Sequence, residues 1–350
     1  MKRFFSAVSL FLALLIIVFS AAITTGCGSN GRTIKVYNWG DYIDKSVIKS
    51  FEKQYGINVV YDEFANNEEM YAKIKAGALD YDVLVPSDYM IKRMTNEDML
   101  YKINFDNIPN YKYIDDRFKN LGYDPKNEYS VPYMWGTVGI VYNSTMVKEP
   151  VNSWKILWNP KYKKQILMLD SQRDSIGITL KMLGYSLNTK DQKQLEEAKQ
   201  KLIEQKPLVL AYVGDQVKDQ MIGNQAAMAV VWSGDAIYMM RENKDLKYVI
   251  PKEGSNIWFD SMVIPKTSKH TADAELFINY MCDTQIAYKN ADYIGYSTPQ
   301  TEAKKLLPKE LTSDKTAYPD EGDVKNSEVF EDLADSLPLY DKIWTEIKSK

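Results

Sequence analysis

Thr33-Ile34-Lys35-Val36-Tyr37-Asn38-Trp39 reads as a strand, and Gly40-Asp41-Tyr42-Ile43-Asp44 leads from it into a segment of helical period. Val47, Ile48, Phe51 and Tyr55 share one face of Lys45–Tyr55, Asp44 stands where the N-cap belongs, and Gly56 stops the helix. Ile57 to Phe64 is strand-like again. A strand, a helix and a second strand within about thirty residues set the pattern for the rest of the chain.

The same alternation continues. Glu68 to Ala76 is helical, Asp82-Val83-Leu84-Val85-Pro86 is a short buried strand, and a helix surrounds Tyr89 to Met94. Further strands are expected at Val138–Tyr142, Ile166–Leu169, Val209–Val213, Met228–Trp232, Tyr248–Pro251 and Ser261–Pro265. Helical patterns lie between most of them, notably Ile176–Leu183, Gln192–Glu204, Ala236–Glu242 and Thr271–Cys282. This describes an α/β architecture with mostly parallel sheets. Within Trp135-Gly136-Thr137-Val138-Gly139, two glycines flank an apolar step and suggest a hinge. No Pro- or Ser-rich linker separates two halves, as expected if the chain crosses between lobes more than once.

Composition narrows the function. The chain has 350 residues, 45% hydrophobic and 26% charged, with a formal net charge of -3. The length suits about two domains, and the mild acidity argues against a nucleic-acid partner, which needs a dense basic surface. One His and two Cys leave little for metal sites or nucleophile–base catalysis. Lys2 and Arg3 precede an apolar run from Phe4 to Ile23, broken only by Ser6, Ser9 and Ser20, and then Thr24-Thr25-Gly26-Cys27. This is the pattern of a secretory signal over residues 1–26, with Cys27 as a lipidated cysteine and residues 27–31 as a tether. An uncleaved anchor is the rival reading, because about 20 apolar residues can span a bilayer. Either way the bulk of the chain is expected on the outer face of the cytoplasmic membrane. If Cys27 carries lipid, Cys282 is alone. It falls with Ala274, Phe277, Ile278 and Met281 on one helix face and reads as a buried apolar residue.

Ligands of open α/β sheets bind outside the carboxyl ends of the strands. Asn38-Trp39-Gly40-Asp41-Tyr42 follows the first strand, and Pro86-Ser87-Asp88-Tyr89 the third. Asp170-Ser171-Gln172-Arg173-Asp174 follows Ile166–Leu169, and Trp232-Ser233-Gly234-Asp235 ends Met228–Trp232. Ile257-Trp258-Phe259-Asp260 comes just before Ser261–Pro265, and Gly295-Tyr296-Ser297 follows later. Taken singly, an acid after a strand is a helix cap and a Trp is core; Asp44 and Asp88 are assigned to that role. The recurrence carries the argument. A carboxylate accepts a charge-assisted hydrogen bond from an ammonium, and aromatic faces attract cations. Only Arg173 is basic at these strand ends, so anionic ligands are disfavoured. Residues alone therefore describe an extracellular α/β binder of a small cation, whose affinity falls as ordinary carboxylates protonate below about pH 5.

Val36-Tyr37-Asn38-Trp39-Gly40-Asp41-Tyr42, Tyr71-Ala72-Lys73-Ile74, Asp82-Val83-Leu84-Val85-Pro86-Ser87, Tyr129-Ser130-Val131-Pro132-Tyr133-Met134-Trp135-Gly136 and Gly295-Tyr296-Ser297-Thr298-Pro299 closely resemble the spermidine/putrescine-binding proteins of ABC transporters. The resemblance runs in order along nearly the whole chain. It implies the two-lobe periplasmic-binding-protein-like fold (type II), with lobe 1 at 32–137 plus 259–304 and lobe 2 at 138–258 plus 305–350. It implies a polyamine as ligand, an ABC permease as partner and no cofactor or metal; a monomer is also expected. Carried over by position, the ligand contacts are Trp39, Asp41, Tyr42, Ser87, Tyr89, Asp174, Trp232, Trp258, Asp260 and Tyr296. Asp235 resembles the putrescine-preferring members. Ser171 stands where spermidine-preferring members can carry an acid, and Phe330 or a neighbour replaces a C-terminal polar contact, so spermidine and putrescine both stay open. The alternatives are a receptor for another small organic cation and an enzyme on the same fold, for which Cys282, His270 or the Asp170/Asp174 pair would have to supply the chemistry.

Overall fold

The computed structural model describes residues 31–77 and 80–350. The expected signal segment and Cys27 lie outside these residues. Nine strands are present among them: β1 (Thr33–Trp39), β2 (Asn58–Phe64), β3 (Val83–Leu84), β4 (Ser130–Asn143), β5 (Ile166–Leu169), β6 (Val209–Val213), β7 (Met228–Trp232), β8 (Leu246–Val249) and β9 (Ile257–Val263). They run in the order β2-β1-β3-β9-β4-β7-β5-β6, with β8 also on β4.

The opening stretch folds as its residues dictate. Ile34, Val36, Val47, Phe51 and Ile57 are buried together, each contributing about 1.5–3 kcal/mol by leaving water. Asp44 accepts the amide of Ser46 at 2.8 Å, and Gly56 takes φ 64°, the left-handed turn that ends helix Lys45–Tyr55. The strands that alternate with helices pair in parallel: β1 with β2 and β3, and β5 with β6 and β7. The two strands that join these sets, the 14-residue β4 and the 7-residue β9, run antiparallel to each other. Thr33–Lys350 pack as one unit, and among the described residues no helix is long and apolar enough to cross a membrane.

Two elements differ from expectation in a way that matters for the site. β4 starts at Ser130 rather than Val138. Pro132 argues against a strand interior, but it stands opposite Ser261, whose amide donates to the carbonyl of Pro86 on its other side, and the register then shifts before Met134. β9 starts at Ile257 rather than Ser261, which puts Trp258 and Asp260 inside a strand, not before one. Both are buried while Ile257 and Phe259 are only half-buried, the alternation of a pleated strand.

The expected hinge falls where β4 changes partner. Its pairing with β9 ends at Gly136↔Trp258 and Thr137↔Ile257, and pairing with β7 begins at Val138↔Trp232. The glycines there make room for neighbours. A Cβ on Gly136 would lie 2.6 Å from Ser233 Oγ and from the Trp258 ring, and one on Gly139 would lie 2.4 Å from the Tyr248 ring.

Candidate ligand-binding site

A cavity of about 350 Å3 opens at the carboxyl ends of β1, β5, β6 and β7. Its lining contains all eleven residues singled out from the sequence: Trp39, Asp41, Tyr42, Ser87, Tyr89, Asp174, Trp232, Asp235, Trp258, Asp260 and Tyr296. Local structure explains how each arrives there. Asp41 follows β1 in a left-handed conformation, φ 49°, that turns the chain across the strand end. Trp39 is fixed by its indole N–H, which donates to the carbonyl of Val85 at 2.8 Å. Ser87 is the N-cap residue of helix Asp88–Asn96, Asp174 lies in the first turn of Gln172–Leu183, and Asp235 in that of Ser233–Glu242.

Asp260 sits at the centre of the polar network. Tyr42 donates its hydroxyl to Oδ2 at 2.8 Å, and Ser87 donates to Oδ1 at 2.6 Å. Ser87 is held in turn by Asn67, whose Nδ2 donates to the serine Oγ and whose Oδ1 accepts the serine amide, both at 3.1 Å. Asp174 receives the Ser171 hydroxyl at 2.7 Å and the Asn256 amide at 3.5 Å. Burial dominates the ionisation of these acids. It pushes Asp174 up to about 6 against the pull of Ser171 and Asn256. It pushes Asp260 up to about 7 despite Ser87 and Tyr42, and Asp235 up to about 7 despite Lys218. The pH 5 expected of ordinary carboxylates for loss of cation affinity therefore moves upward.

The aromatic walls are packed against each other. Trp258 meets Tyr296 edge-on at 5.2 Å, Tyr42 meets Tyr296 at 5.3 Å, and Trp39 approaches Trp232 at 6.5 Å. Gly234 allows this, since a Cβ there would lie 2.2 Å from the Tyr296 ring. Gly234→Ala is expected to lose about 1–3 kcal/mol of stability by overpacking; chemical denaturation measures it, and an unchanged midpoint would contradict the packing argument.

Other lining residues follow strand ends that were not singled out from the sequence. Asn67 and Glu68 follow β2, and Asp215 follows β6; applying the strand-end rule to Phe64 and Val213 finds them. Asp88 stays out of the cavity lining, as expected of a capping or packing acid. Ser87 holds the cap position, while the fully buried Asp88 carboxylate accepts the amides of Tyr89 at 2.7 Å and Phe259 at 3.0 Å. Burial pushes it up to about 8. Arg173 lines the cavity, but its guanidinium lies over the Phe330 ring at 4.3 Å and the Tyr89 ring at 4.8 Å and donates to Asn188 and to the carbonyl of Glu331. Asp170 is paired with Lys348 at 2.7 Å.

The lining thus presents three buried carboxylates, Asp174, Asp235 and Asp260, none in an ion pair closer than 4 Å among the described residues. Three further polar atoms of lining residues, Trp258 Nε1, Asn256 Oδ1 and Arg173 Nε, have no hydrogen-bond partner among the described residues. Such a site can hold an organic cation by charge, hydrogen bond and ring face. Neither Cys282 nor His270 lines it. Cys282 is buried at the end of helix Thr271–Met281, where burial raises its thiol to about 12. His270 faces Asp82 at 3.3 Å.

A family model described as bacterial extracellular solute-binding protein matches residues 46–319. The spermidine/putrescine-binding periplasmic protein of Salmonella typhimurium is 35% identical over 325 residues, 92% of this chain and 93% of that one. A solved structure from Listeria monocytogenes, assigned to a spermidine/putrescine ABC transporter, is 46% identical with a TM-score of 0.89, covering 91% of this chain and 99% of that one. The spermidine/putrescine ABC transporter substrate-binding protein PotD of Streptococcus pneumoniae is 44% identical with a TM-score of 0.77 over the same shares.

Proposed function

The chain belongs to the bacterial extracellular solute-binding proteins, and from that premise we propose that it captures a linear polyamine in the cavity and delivers it to an ABC permease. One observation carries the reading: three buried carboxylates, none with an ion pair within 4 Å among the described residues, stand among Trp39, Trp232, Trp258 and Tyr296. A linear amine brings ammonium groups for the acids and methylene stems for the rings. The names of the relatives support the same ligand class. Association that yields micromolar binding needs about -8 kcal/mol, within reach of two or three buried ion contacts and ring stacking after the costs of association.

The protein acts as a carrier, not an enzyme, since its task is to bind a cation in a site built of acids and rings. Lobe 1 comprises 32–137 plus 259–304 and lobe 2 comprises 138–258 plus 305–350; the lobes close over ligand about the Gly136–Gly139 step of β4. Support for that boundary is the exchange of β4's partner between Thr137 and Val138. The protein works as a monomer outside the cytoplasmic membrane, held by lipid on Cys27, and has no nucleic-acid partner.

The test is a thermal-shift panel of putrescine, cadaverine, spermidine, spermine, betaine and sulfate on residues 28–350. Selective stabilisation by the linear amines is expected, worth about 2.7 kcal/mol at a hundred times the Kd. Equal stabilisation by betaine or sulfate, or none by any amine, would overturn the reading.

A further inference from the structure

Just outside the lining at one end of the cavity, the protein supplies a cation of its own. Lys218, on helix Val217–Ile222, places Nζ 2.7 Å from Asp41 Oδ2 and 3.6 Å from Asp215 Oδ1. Both carboxylates belong to residues that line the cavity. The lysine side chain is only 14% exposed, whereas Asp41 is 63% exposed at the rim. Burial works against the charge, but Asp235, Asp41 and Asp215 together outweigh it and hold the ammonium above its usual range. The loops after β1 and β6 meet here: a Cβ on Gly40 would lie 2.8 Å from Asp215 Oδ2. The two acids are therefore gathered about one fixed positive charge instead of standing free.

We infer that Lys218 is a specificity-determining residue of the cavity, a resident ammonium that occupies the Asp41–Asp215 end and limits how many charges a bound amine can bring. The inference rests on the proposed polyamine reading and adds to it the number of charges selected. A ligand whose ammonium groups are met by Asp174 and Asp260 leaves the Lys218 position undisturbed, whereas one on Asp235 shares that acid with Lys218. A tetra-amine has a further charge, which must either face the like charge of Lys218 or displace it from two carboxylates. Like charges brought together in a partly desolvated site strongly disfavour a complex. An ordinary exposed ion pair would have no such effect, because solvent screens it; the low exposure of Lys218 is what gives it selectivity.

The experiment measures the Kd values of putrescine, spermidine and spermine by isothermal titration at low salt, in the parent and three variants. In Lys218→Met, which keeps the bulk and removes the charge, the ratio of spermine Kd to putrescine Kd is expected to fall about tenfold. Lys218→Arg keeps a cation and is expected to keep the parent ratio. Asp41→Asn removes an acid and leaves the lysine, so the ratio is expected to rise. The last two stand without the first if Lys218→Met fails to fold. A ratio unchanged in Lys218→Met, or all three amines weakening together, would overturn the inference while leaving the polyamine reading intact. So would a ratio that falls in Asp41→Asn. A parent that binds none of the three amines would overturn both.

Discussion

Asp260→Asn is expected to weaken the binding of spermidine and putrescine by about 30-fold or more. Asp260 is buried and accepts hydroxyls from both sides, Tyr42 on Oδ2 and Ser87 on Oδ1. Asparagine keeps the shape and one acceptor oxygen, and its amide can donate to the second hydroxyl, so the network around the side chain survives. What disappears is the counter-charge. Removing one partner of a buried charged pair costs about 2–5 kcal/mol, which is about 30-fold to several thousandfold in affinity. The unliganded protein should not suffer, because burial has already raised this carboxyl to about 7 and so favours a neutral group. Isothermal titration and melting curves check both halves. An asparagine variant that binds within about threefold of the parent would remove Asp260 from the site.

The second large effect is that of pH, and it has opposite signs for fold and ligand. Asp174 at about 6, Asp235 and Asp260 at about 7 and Asp88 at about 8 are all raised by burial above the unfolded value of about 3.9. A carboxyl raised in the folded state contributes stability that is fully present below about pH 4 and is lost as pH rises through its folded value. The unliganded protein should therefore melt lower at pH 8 than at pH 5. A cationic ligand needs the ionised forms, so its affinity should climb over the same window. A carboxyl with a value of about 7 is about 1% ionised at pH 5, so each such group that the ligand requires lowers affinity there about a hundredfold. Binding near pH 6.5 should also release protons, read by titrating in two buffers of different ionisation heat. A flat affinity between pH 5 and pH 8 would contradict the account. Ordinary carboxylates would place the fall near pH 5; the shift upward comes from burial, which a sequence does not display.

Much of the site is legible in the sequence because strand ends are marked there. The run from Thr33 to Trp39 announces its strand by composition, and Asp44 and Gly56 bracket the next helix, so residue pattern alone puts Trp39, Asp41 and Tyr42 at a strand end. The ends of β5 and β7 mark Asp174, Trp232 and Asp235 in the same way. Functional residues inside a regular element are harder to place. Trp258 and Asp260 interrupt the apolar signal of β9, which makes the strand look as if it begins after them, whereas their alternation with Ile257 and Phe259 is itself the strand pattern. Helices Gln172–Leu183 and Ser233–Glu242 begin earlier than their apolar periods suggest, because their first turns carry site residues in place of core residues. Lys218 is hidden for a different reason. It is an exposed-looking lysine on a six-residue helix, and only the meeting of the loops after β1 and β6 gives it carboxylate partners.

The central claim is that a linear amine lies in this cavity with its charge on the buried acids. A crystal structure of residues 28–350 with spermidine tests it most directly. The account predicts an amine nitrogen within about 3 Å of an Asp260 oxygen, a second on Asp174 or Asp235, and the methylene chain against Trp39, Trp232 and Trp258. Spermidine bound elsewhere, or in the cavity with no nitrogen on any of the three acids, would contradict it.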